Sequence, residues 1–317
     1  MRHPKPVSVI YSLAAMYQLA VSSWLIATAE LQRDLASAGH SNARITVLDA
    51  RSGSAYHRGH VPGAIRIEWK DFRDGWGRTG KLSPDFEKVA RRLEALGVDG
   101  RHPVVVYGAA REGWGEEGRI AWMLAYLGHA RVRVLDGGYR AWIAAGGSAS
   151  RDRSATPPGE FTVRVNPTVR ANLADVAAAV GVAHGTAVSA THASAPASIP
   201  RTVVLDVRPR DEWDGARRYW EPRTGHIPGA VRFEWRELLD AEGRLRPHSE
   251  LLPLLAQRGI TPDRPIIVYC TGGVRSAEAF WMLRVLGFDR VRNYDGSWYE
   301  WAFDKSKPAV VGGPDGR

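Results

Sequence analysis

The feature that most constrains the fold is an internal repeat: the second half of the chain restates the first. VLDAR at residues 47–51 returns as VLDVR at 204–208, and GHVPGAIRIEW at 59–69 returns as GHIPGAVRFEW at 225–235. VVVY at 104–107 returns as IIVY at 266–269, and LDGG at 135–138 as YDGS at 294–297. The segments follow in the same order in both halves, and matching segments lie about 160 residues apart, which predicts a duplicated domain. A chain of 317 residues also suits two cores better than one.

Each half alternates short apolar runs with helical patterns. In the second half, the runs at 202–207 and 266–269 read as buried parallel strands, and apolar residues recur at helical spacing over 276–286. This alternation predicts an α/β fold in which each domain is a mostly parallel sheet flanked by helices.

Composition changes place the domain limits. The predicted domains span residues 20–146 and 166–308, and a linker rich in Gly, Ser, Arg and Pro joins them at 147–165. An Ala/Ser/Thr-rich stretch at 183–200 is predicted to be a surface insertion in the second domain.

The net charge of +9 and the pI of about 9.9 raise the question of nucleic-acid binding. The arginines are scattered, however, and the chain has no zinc-finger spacing or other nucleic-acid motif. We expect a basic surface that attracts small anions, with no nucleic-acid or membrane partner.

The amino terminus allows two interpretations. An uncharged stretch at 6–29 follows Arg2 and Lys5 and ends in a cleavage-like Ala-Thr-Ala, as in a signal peptide. The same stretch supplies a strand entry and a helix start to the first domain, and translation from Met16 would shorten it. We expect a cytoplasmic protein, with export as the open alternative.

The only cysteine, Cys270, directly follows the strand run at 266–269. An intrachain disulfide and a cysteine-based metal cluster are therefore excluded. In parallel α/β sheets, ligands bind at the carboxyl ends of the strands, which is where Cys270 is predicted to lie. The residues that follow it form a glycine-containing loop and a helix start: Thr271, Gly272, Gly273, Val274, Arg275 and Ser276. Converging backbone N–H groups, the helix end and Arg275 all favour the thiolate, so we predict a nucleophile.

Loop length separates two classes of cysteine enzyme. Phosphatases resemble this loop but place five residues between the cysteine and the arginine, whereas four stand between Cys270 and Arg275. The shorter loop favours a single sulfur atom on Cys270 over a phosphate group and disfavours a phosphatase or arsenate reductase.

With the repeat, this loop and YDGSW at 294–298, the chain resembles the tandem rhodanese family of thiosulfate and 3-mercaptopyruvate sulfurtransferases from about residue 21 to 308. The resemblance implies a catalytic second domain and an inactive first one, where Gly108 stands in the place of Cys270. It implies transfer of sulfur from a small anionic donor, through a persulfide on Cys270, to a thiol or cyanide. We expect no metal or other cofactor, and Trp114 is a candidate for the pocket wall across the domain interface.

Several residues occur in both halves and are therefore not tied to the chemistry. Asp206 and Arg208 match Asp49 and Arg51 of the inactive copy, so a supporting role is favoured, although Arg208 stays a substrate-binding candidate. His226 matches His60 and is interpreted as a turn anchor rather than a general base.

The resemblance leaves the donor open. Arg223 matches a substrate arginine of mercaptopyruvate enzymes, but the family's first substrate arginine is Glu212 here, and the lysine of animal thiosulfate enzymes is Gly272. We favour thiosulfate, with 3-mercaptopyruvate as the other donor. Three further arginines are either substitutes for the lost clamp or simply solvated: Arg210, Arg217 and Arg218. The alternative function is a carrier that receives sulfur from a partner protein without turnover.

Overall fold

The computed structural model describes residues 24–38, 44–75, 79–182 and 201–313. Within them lie two five-stranded sheets, one in each half of the chain, in which every paired strand is parallel. The prediction of a duplicated, parallel α/β domain is confirmed.

In its described residues, the first domain has five strands and five α-helices. Its strands are β1 (Leu25–Ile26), β2 (Thr46–Asp49), β3 (Ile65–Arg66), β4 (Val104–Tyr107) and β5 (Val132–Leu135). Its helices are α1 (Thr28–Ala38), α2 (Gly53–Arg58), α3 (Phe86–Ala95), α4 (Glu116–Tyr126) and α5 (Gly138–Ala144).

The second domain repeats this plan. Its strands are β6 (Arg170–Ala171), β7 (Val203–Asp206), β8 (Val231–Arg232), β9 (Ile266–Tyr269) and β10 (Val291–Tyr294). Its helices are α6 (Leu173–Ala179), α7 (Arg210–Trp213), α8 (His248–Ala256), α9 (Arg275–Val285) and α10 (Ser297–Phe303).

The strand order is β1-β5-β4-β2-β3 in the first sheet and β6-β10-β9-β7-β8 in the second. The central strands β4 and β9 are buried along their whole length because helices cover both faces. Each runs directly into a loop and then a helix, α4 or α9, so Gly108 and Cys270 occupy matching places at the carboxyl edges of their sheets.

The domains meet where α4 packs against α9. A Cβ atom on Gly118 would lie 2.5 Å from the Cα atom of Glu278, so this close helix approach requires glycine. The contacts follow a pseudo-twofold pattern. Trp122 donates its indole N–H to the carbonyl of Val169 at 2.9 Å, and Trp281 donates to the carbonyl of Trp24 at 2.8 Å.

The repeated aspartates also cross this interface. Asp295 accepts the backbone N–H of Leu82 at 2.8 Å, and Asp136 accepts that of Leu245 at 3.0 Å. Each domain thus holds the loop that precedes a helix of the other, and the cleft between them gains a defined shape.

Residues between α5 and Pro167 hold neither helix nor strand, and Phe161 anchors them on the first domain. The exact limits 20–146, 147–165 and 166–308 stay a prediction. Residues 6–23 of the candidate signal segment and the predicted insertion at 183–200 fall outside the described residues. The rest of that segment belongs to the first domain, since β1 pairs with β5 and α1 begins at Thr28. Among the helices that are described, none has the length and apolar character needed to cross a bilayer.

Candidate active site

Cys270 is the first residue after β9 and is buried. The backbone N–H of Gly273 donates to its Sγ atom across 3.1 Å. This N–H faces the sulfur because Gly273 adopts φ = +85°, and a Cβ atom there would lie 2.3 Å from the carbonyl oxygen of Asp295. The second glycine of the loop is therefore required both for its backbone conformation and for space.

The surroundings of Cys270 favour the thiolate. Burial acts to raise the pKa of the thiol, but the Arg275 guanidinium and hydrogen bonds from Ser276 and Gly272 outweigh it, and the net pKa is lowered. Helix α9 begins at Arg275, so its positive end also lies beside the sulfur.

Ser297 joins this site from the start of α10. Its hydroxyl accepts the backbone N–H of Cys270 at 3.1 Å, donates to the carbonyl of Tyr294 at 2.8 Å and lies 3.9 Å from Sγ. Ser297 has φ = +54°, and the matching Gly138 of the first domain has φ = +57°. The half that contains the cysteine therefore keeps a side chain where the backbone favours glycine, a kind of strain that clusters at functional sites.

Sequence reasoning noted Ser297 only as part of the repeat. The signal that marks it is the difference between the copies, since serine replaces glycine only in the half that has the cysteine.

Arg275 is held by Glu212. The two side chains form a bidentate ion pair with N···O distances of 2.7 and 2.8 Å, and both are buried. Thr271 completes the group, since its hydroxyl donates to Glu212 at 2.5 Å and accepts from Arg275 at 2.8 Å. Burial alone would raise the pKa of Glu212, but the hydrogen bonds and charge of Arg275 lower it. Glu212, noted in the sequence only as a missing clamp, is thus the counter-ion of the loop arginine.

Cys270 opens into a cavity of about 440 Å³ between the domains. The second domain contributes Tyr219 and the cysteine loop, and the first contributes Trp69, Lys70, Arg73, Trp114 and Glu116. Trp114 forms part of the wall, as expected, with its ring centre 5.2 Å from the Arg275 guanidinium carbon and 6.0 Å from the Tyr219 ring. The cavity therefore combines a cysteine thiol with aromatic walls and cations.

Asp206 and Arg208 pair with each other and hold the turn at Gly225. Arg208 donates through Nε and a terminal nitrogen to Asp206, at 2.6 to 3.0 Å, and to the carbonyl of Gly225 at 2.9 Å. Both are buried and neither lines the cavity. Asp49 and Arg51 make the same contacts in the first domain. These contacts fit the supporting role predicted for both residues, and substrate binding by Arg208 stays a prediction.

Arg223, the predicted clamp, is not among the residues that line the cavity of Cys270. Its guanidinium donates to four backbone carbonyl groups at and just beyond the end of α10, those of Trp301, Ala302, Asp304 and Lys307. A cation that satisfies the last carbonyls of a helix stabilises that helix end. Arg223 thus fastens the end of α10, and its role as a substrate clamp stays a prediction.

The other basic candidates also lie outside the cavity of Cys270. Arg210 pairs with Asp214 and Arg217 with Asp211, both on exposed surface, and Arg218 lines a neighbouring cavity. His226 stacks on Trp213 and its Nδ1 contacts the carbonyl of that residue at 3.1 Å, which fits a turn anchor.

The first domain has no space for a second nucleophile. A Cβ atom on Gly108 would lie 2.1 Å from Oε2 of Glu117, whose other oxygen accepts the backbone N–H of Ala110 at 2.9 Å. A buried carboxyl group thus occupies the place that the cysteine side chain fills in the second domain.

Comparison with known proteins extends this picture. The family model of the rhodanese-like domain matches residues 28–145 and 189–304. The chain is 32% identical over 271 residues to a thiosulfate sulfurtransferase of Corynebacterium glutamicum, covering 81% of each protein. It is 31% identical over 256 residues to the sulfur carrier protein TtuD of Thermus thermophilus, covering 78% of this chain and 83% of that protein.

Solved structures share the fold. The anaerobic ergothioneine biosynthesis enzyme from Chlorobium limicola, solved with trimethyl histidine, superposes with a TM-score of 0.76 at 24% identity, over 92% of this chain and 71% of that one. The YnjE structure gives a TM-score of 0.76 at 21% identity, over 92% of this chain and 70% of that one. The likeness to these structures is one of fold. The domain model matches the chain in two places that together cover most of it, and relatives above 30% identity cover about four fifths of it. The protein therefore belongs to the rhodanese family as a tandem of two rhodanese-like domains.

Proposed function

We propose that the protein is a sulfurtransferase that moves sulfane sulfur from a small anionic donor to a thiol or cyanide through a persulfide on Cys270. The observation that carries the proposal is the geometry at Cys270, where a thiol of lowered pKa accepts a backbone N–H at the base of an open cavity.

The reaction has two balanced steps. In the first, the Cys270 thiolate attacks the outer sulfur of thiosulfate, the S–S bond of the donor breaks, and its electron pair leaves with sulfite. In the second, an acceptor thiolate or cyanide attacks the outer sulfur of the persulfide, and the electron pair of that S–S bond returns to Sγ. Charge is conserved in each step, and no metal or redox cofactor is required.

The loop suits both steps because the group to be stabilised is always an anionic sulfur. The N–H of Gly273 and the start of α9 are oriented before the donor arrives, so their stabilisation requires little reorganisation. Thiosulfate is the favoured donor. For 3-mercaptopyruvate, the expected carboxylate clamp Arg223 is engaged at the end of α10.

Single-cysteine chemistry gives a direct test. The protein is treated with thiosulfate, desalted and weighed intact, and then given cyanide alone. Wild type should gain the mass of one sulfur and release one equivalent of thiocyanate, whereas Cys270→Ser should do neither while keeping its circular dichroism spectrum. Uptake and release of sulfur by the serine variant would end the proposal.

A second candidate is a persulfide carrier without turnover, which the likeness to a sulfur carrier protein and the deep burial of Cys270 support. The two functions separate in a steady-state assay. An enzyme should turn over thiosulfate and cyanide many times, with parallel lines in double-reciprocal plots, whereas a carrier should accept sulfur once and release it slowly to small molecules.

A further inference from the structure

The peptide group between Gly272 and Gly273 makes two contacts that face opposite ways. Its N–H, on Gly273, donates to Sγ of Cys270 at 3.1 Å. Its carbonyl, on Gly272, faces the first domain, where a Cβ atom on Gly80 would lie 1.9 Å from this oxygen. None of the described peptide bonds is cis, and in a trans peptide the N–H and C=O bonds point in opposite directions. A contact that fixes the carbonyl therefore also aims the N–H at the sulfur.

This peptide group needs such a contact. Glycines flank it on both sides, and without Cβ atoms they allow it to rotate at little steric cost. In the rotated state the carbonyl oxygen of Gly272 would face Sγ and repel an anionic sulfur that the N–H stabilises. The loop sequence by itself does not determine which way the peptide points.

Gly80 comes close to the loop because it has no side chain. Its φ lies outside the left-handed region, so the backbone conformation does not require glycine there. Space does, since a Cβ atom would overlap the carbonyl oxygen of Gly272. The matching Gly243 of the second domain differs, with φ = +80° and the side chain of Ala110 as its nearest contact. The close approach to a backbone carbonyl thus belongs to the half of the interface that holds Cys270.

Arg119 holds Gly80 in place from within the first domain. Arg119 is fully buried in α4 and donates to the carbonyl of Gly80 through Nε at 3.2 Å and Nη2 at 2.7 Å. Its remaining nitrogen, Nη1, has no hydrogen-bond partner among the described residues, so this buried cation directs its hydrogen bonds to one carbonyl. Two residues further on, the N–H of Leu82 donates to Asp295 of the second domain at 2.8 Å. The segment is thus anchored on both sides of the interface.

Resting on the proposed function, we infer that Gly80 and Arg119 are positioning residues for sulfur transfer. They hold the carbonyl of Gly272 away from the sulfur, and the N–H of the same peptide group therefore stays on Sγ of Cys270. The hydrogen bond is in place before a donor arrives. The first domain, which has no cysteine, then acts on the reaction through the backbone of the second.

The test is Gly80→Ala, which places a Cβ atom against the Gly272 carbonyl and changes no charge. Because Cys270 is the only cysteine, the rate of alkylation by iodoacetamide against pH reports the state of its thiol. The matched control is Gly159→Ala. Its Cβ atom would lie 2.0 Å from the carbonyl oxygen of Val98, which crowds the first-domain backbone equally but outside the cavity of Cys270.

Gly80→Ala should shift the alkylation profile to higher pH, because the thiolate loses hydrogen bonding from the displaced peptide. At a fixed pH below the wild-type midpoint, alkylation should be slower by about threefold to tenfold, and sulfur loading from thiosulfate should slow with it. Gly159→Ala should unfold at lower urea concentration than wild type but keep the wild-type alkylation profile.

Arg119→Met gives the same test without crowding and decides the matter if Gly80→Ala does not fold. Methionine leaves the Gly80 carbonyl without its donors, whereas Arg119→Lys can restore one hydrogen bond. The methionine variant should shift the alkylation profile to higher pH, and the lysine variant should shift it less.

A wild-type alkylation profile in Gly80→Ala or in Arg119→Met, or an equal shift in Gly159→Ala, would overturn the inference while sulfur transfer stands. Failure of wild type to load sulfur from thiosulfate would instead remove the proposed function, and the alkylation profiles would still report how the first domain affects the thiol.

Discussion

Replacing Glu212 by glutamine should separate the two effects of the Arg275 ion pair. The substitution keeps the side-chain shape and removes the charge that balances a buried guanidinium. Loss of one partner of a buried pair typically costs about 3–5 kcal/mol of unfolding free energy. Both side chains are almost fully buried, so solvent screening reduces this figure little.

The same change should make Cys270 more acidic. In wild type, the Glu212 carboxylate offsets the guanidinium that lowers the pKa of the thiol. Without it, the pKa of Cys270 should fall further. Since Cys270 is the only cysteine, the rate of alkylation by iodoacetamide against pH reports this pKa without interference.

The stability effect has a defined pH dependence. The pKa of Glu212 is lowered in the folded state, so its contribution is present above its pKa in the unfolded chain and is lost as pH falls through the folded value. The wild-type advantage in urea unfolding should be full at pH 7 and should shrink in acid.

A matched control is Glu250→Gln, which removes an exposed partner of Arg246. It should change the unfolding free energy by less than about 1 kcal/mol and leave the alkylation profile unchanged. The reasoning is refuted if Glu212→Gln gives the wild-type alkylation profile, or if its stability loss at pH 7 is no greater than that of the control.

Three further changes test other parts of the structure. Burial raises the pKa of Glu278 to about 8, so the unfolding free energy of wild type, measured in urea, should fall as pH rises from 5 to 8. The unfolding free energy of Glu278→Gln should fall less over this range, and equal losses in the two proteins would contradict the prediction. Arg223→Ala should lower the unfolding free energy by about 2 kcal/mol or more and leave KM for either donor unchanged. A raised KM would instead show that Arg223 binds the donor. Gly108→Cys should be less stable than wild type because Glu117 fills the space of the new side chain. Intact mass should still show uptake of one sulfur, whereas uptake of two would show that the first domain rearranges to accommodate a second reactive cysteine.

Local patterns were sufficient to predict much of this protein. The strand preceding Cys270 is a run of apolar residues because both faces of a parallel sheet are covered, and that run is visible in the sequence. The repeat identified the matching Gly108, and the loop glycines, including Gly273, indicated a backbone that curls around one atom.

The roles of Arg223, Glu212 and Ser297 could not be obtained in this way. Arg223 was assigned by its neighbours in the chain, yet its partners lie at the end of α10, about 80 positions away. Glu212 and Arg275 are 63 positions apart and meet only because β7 and β9 pair in one sheet.

The sequence alone therefore determined the duplicated α/β fold and predicted the nucleophile and an inactive first domain, because each follows from periodicity or from the presence or absence of one residue type. Only the tertiary structure decided which charge balances Arg275, which residues of the first domain line the cavity of Cys270 and what shape that cavity has. Those properties depend on distances between segments that packing brings together, and ion pairing of a long side chain is chosen by what lies within reach after folding.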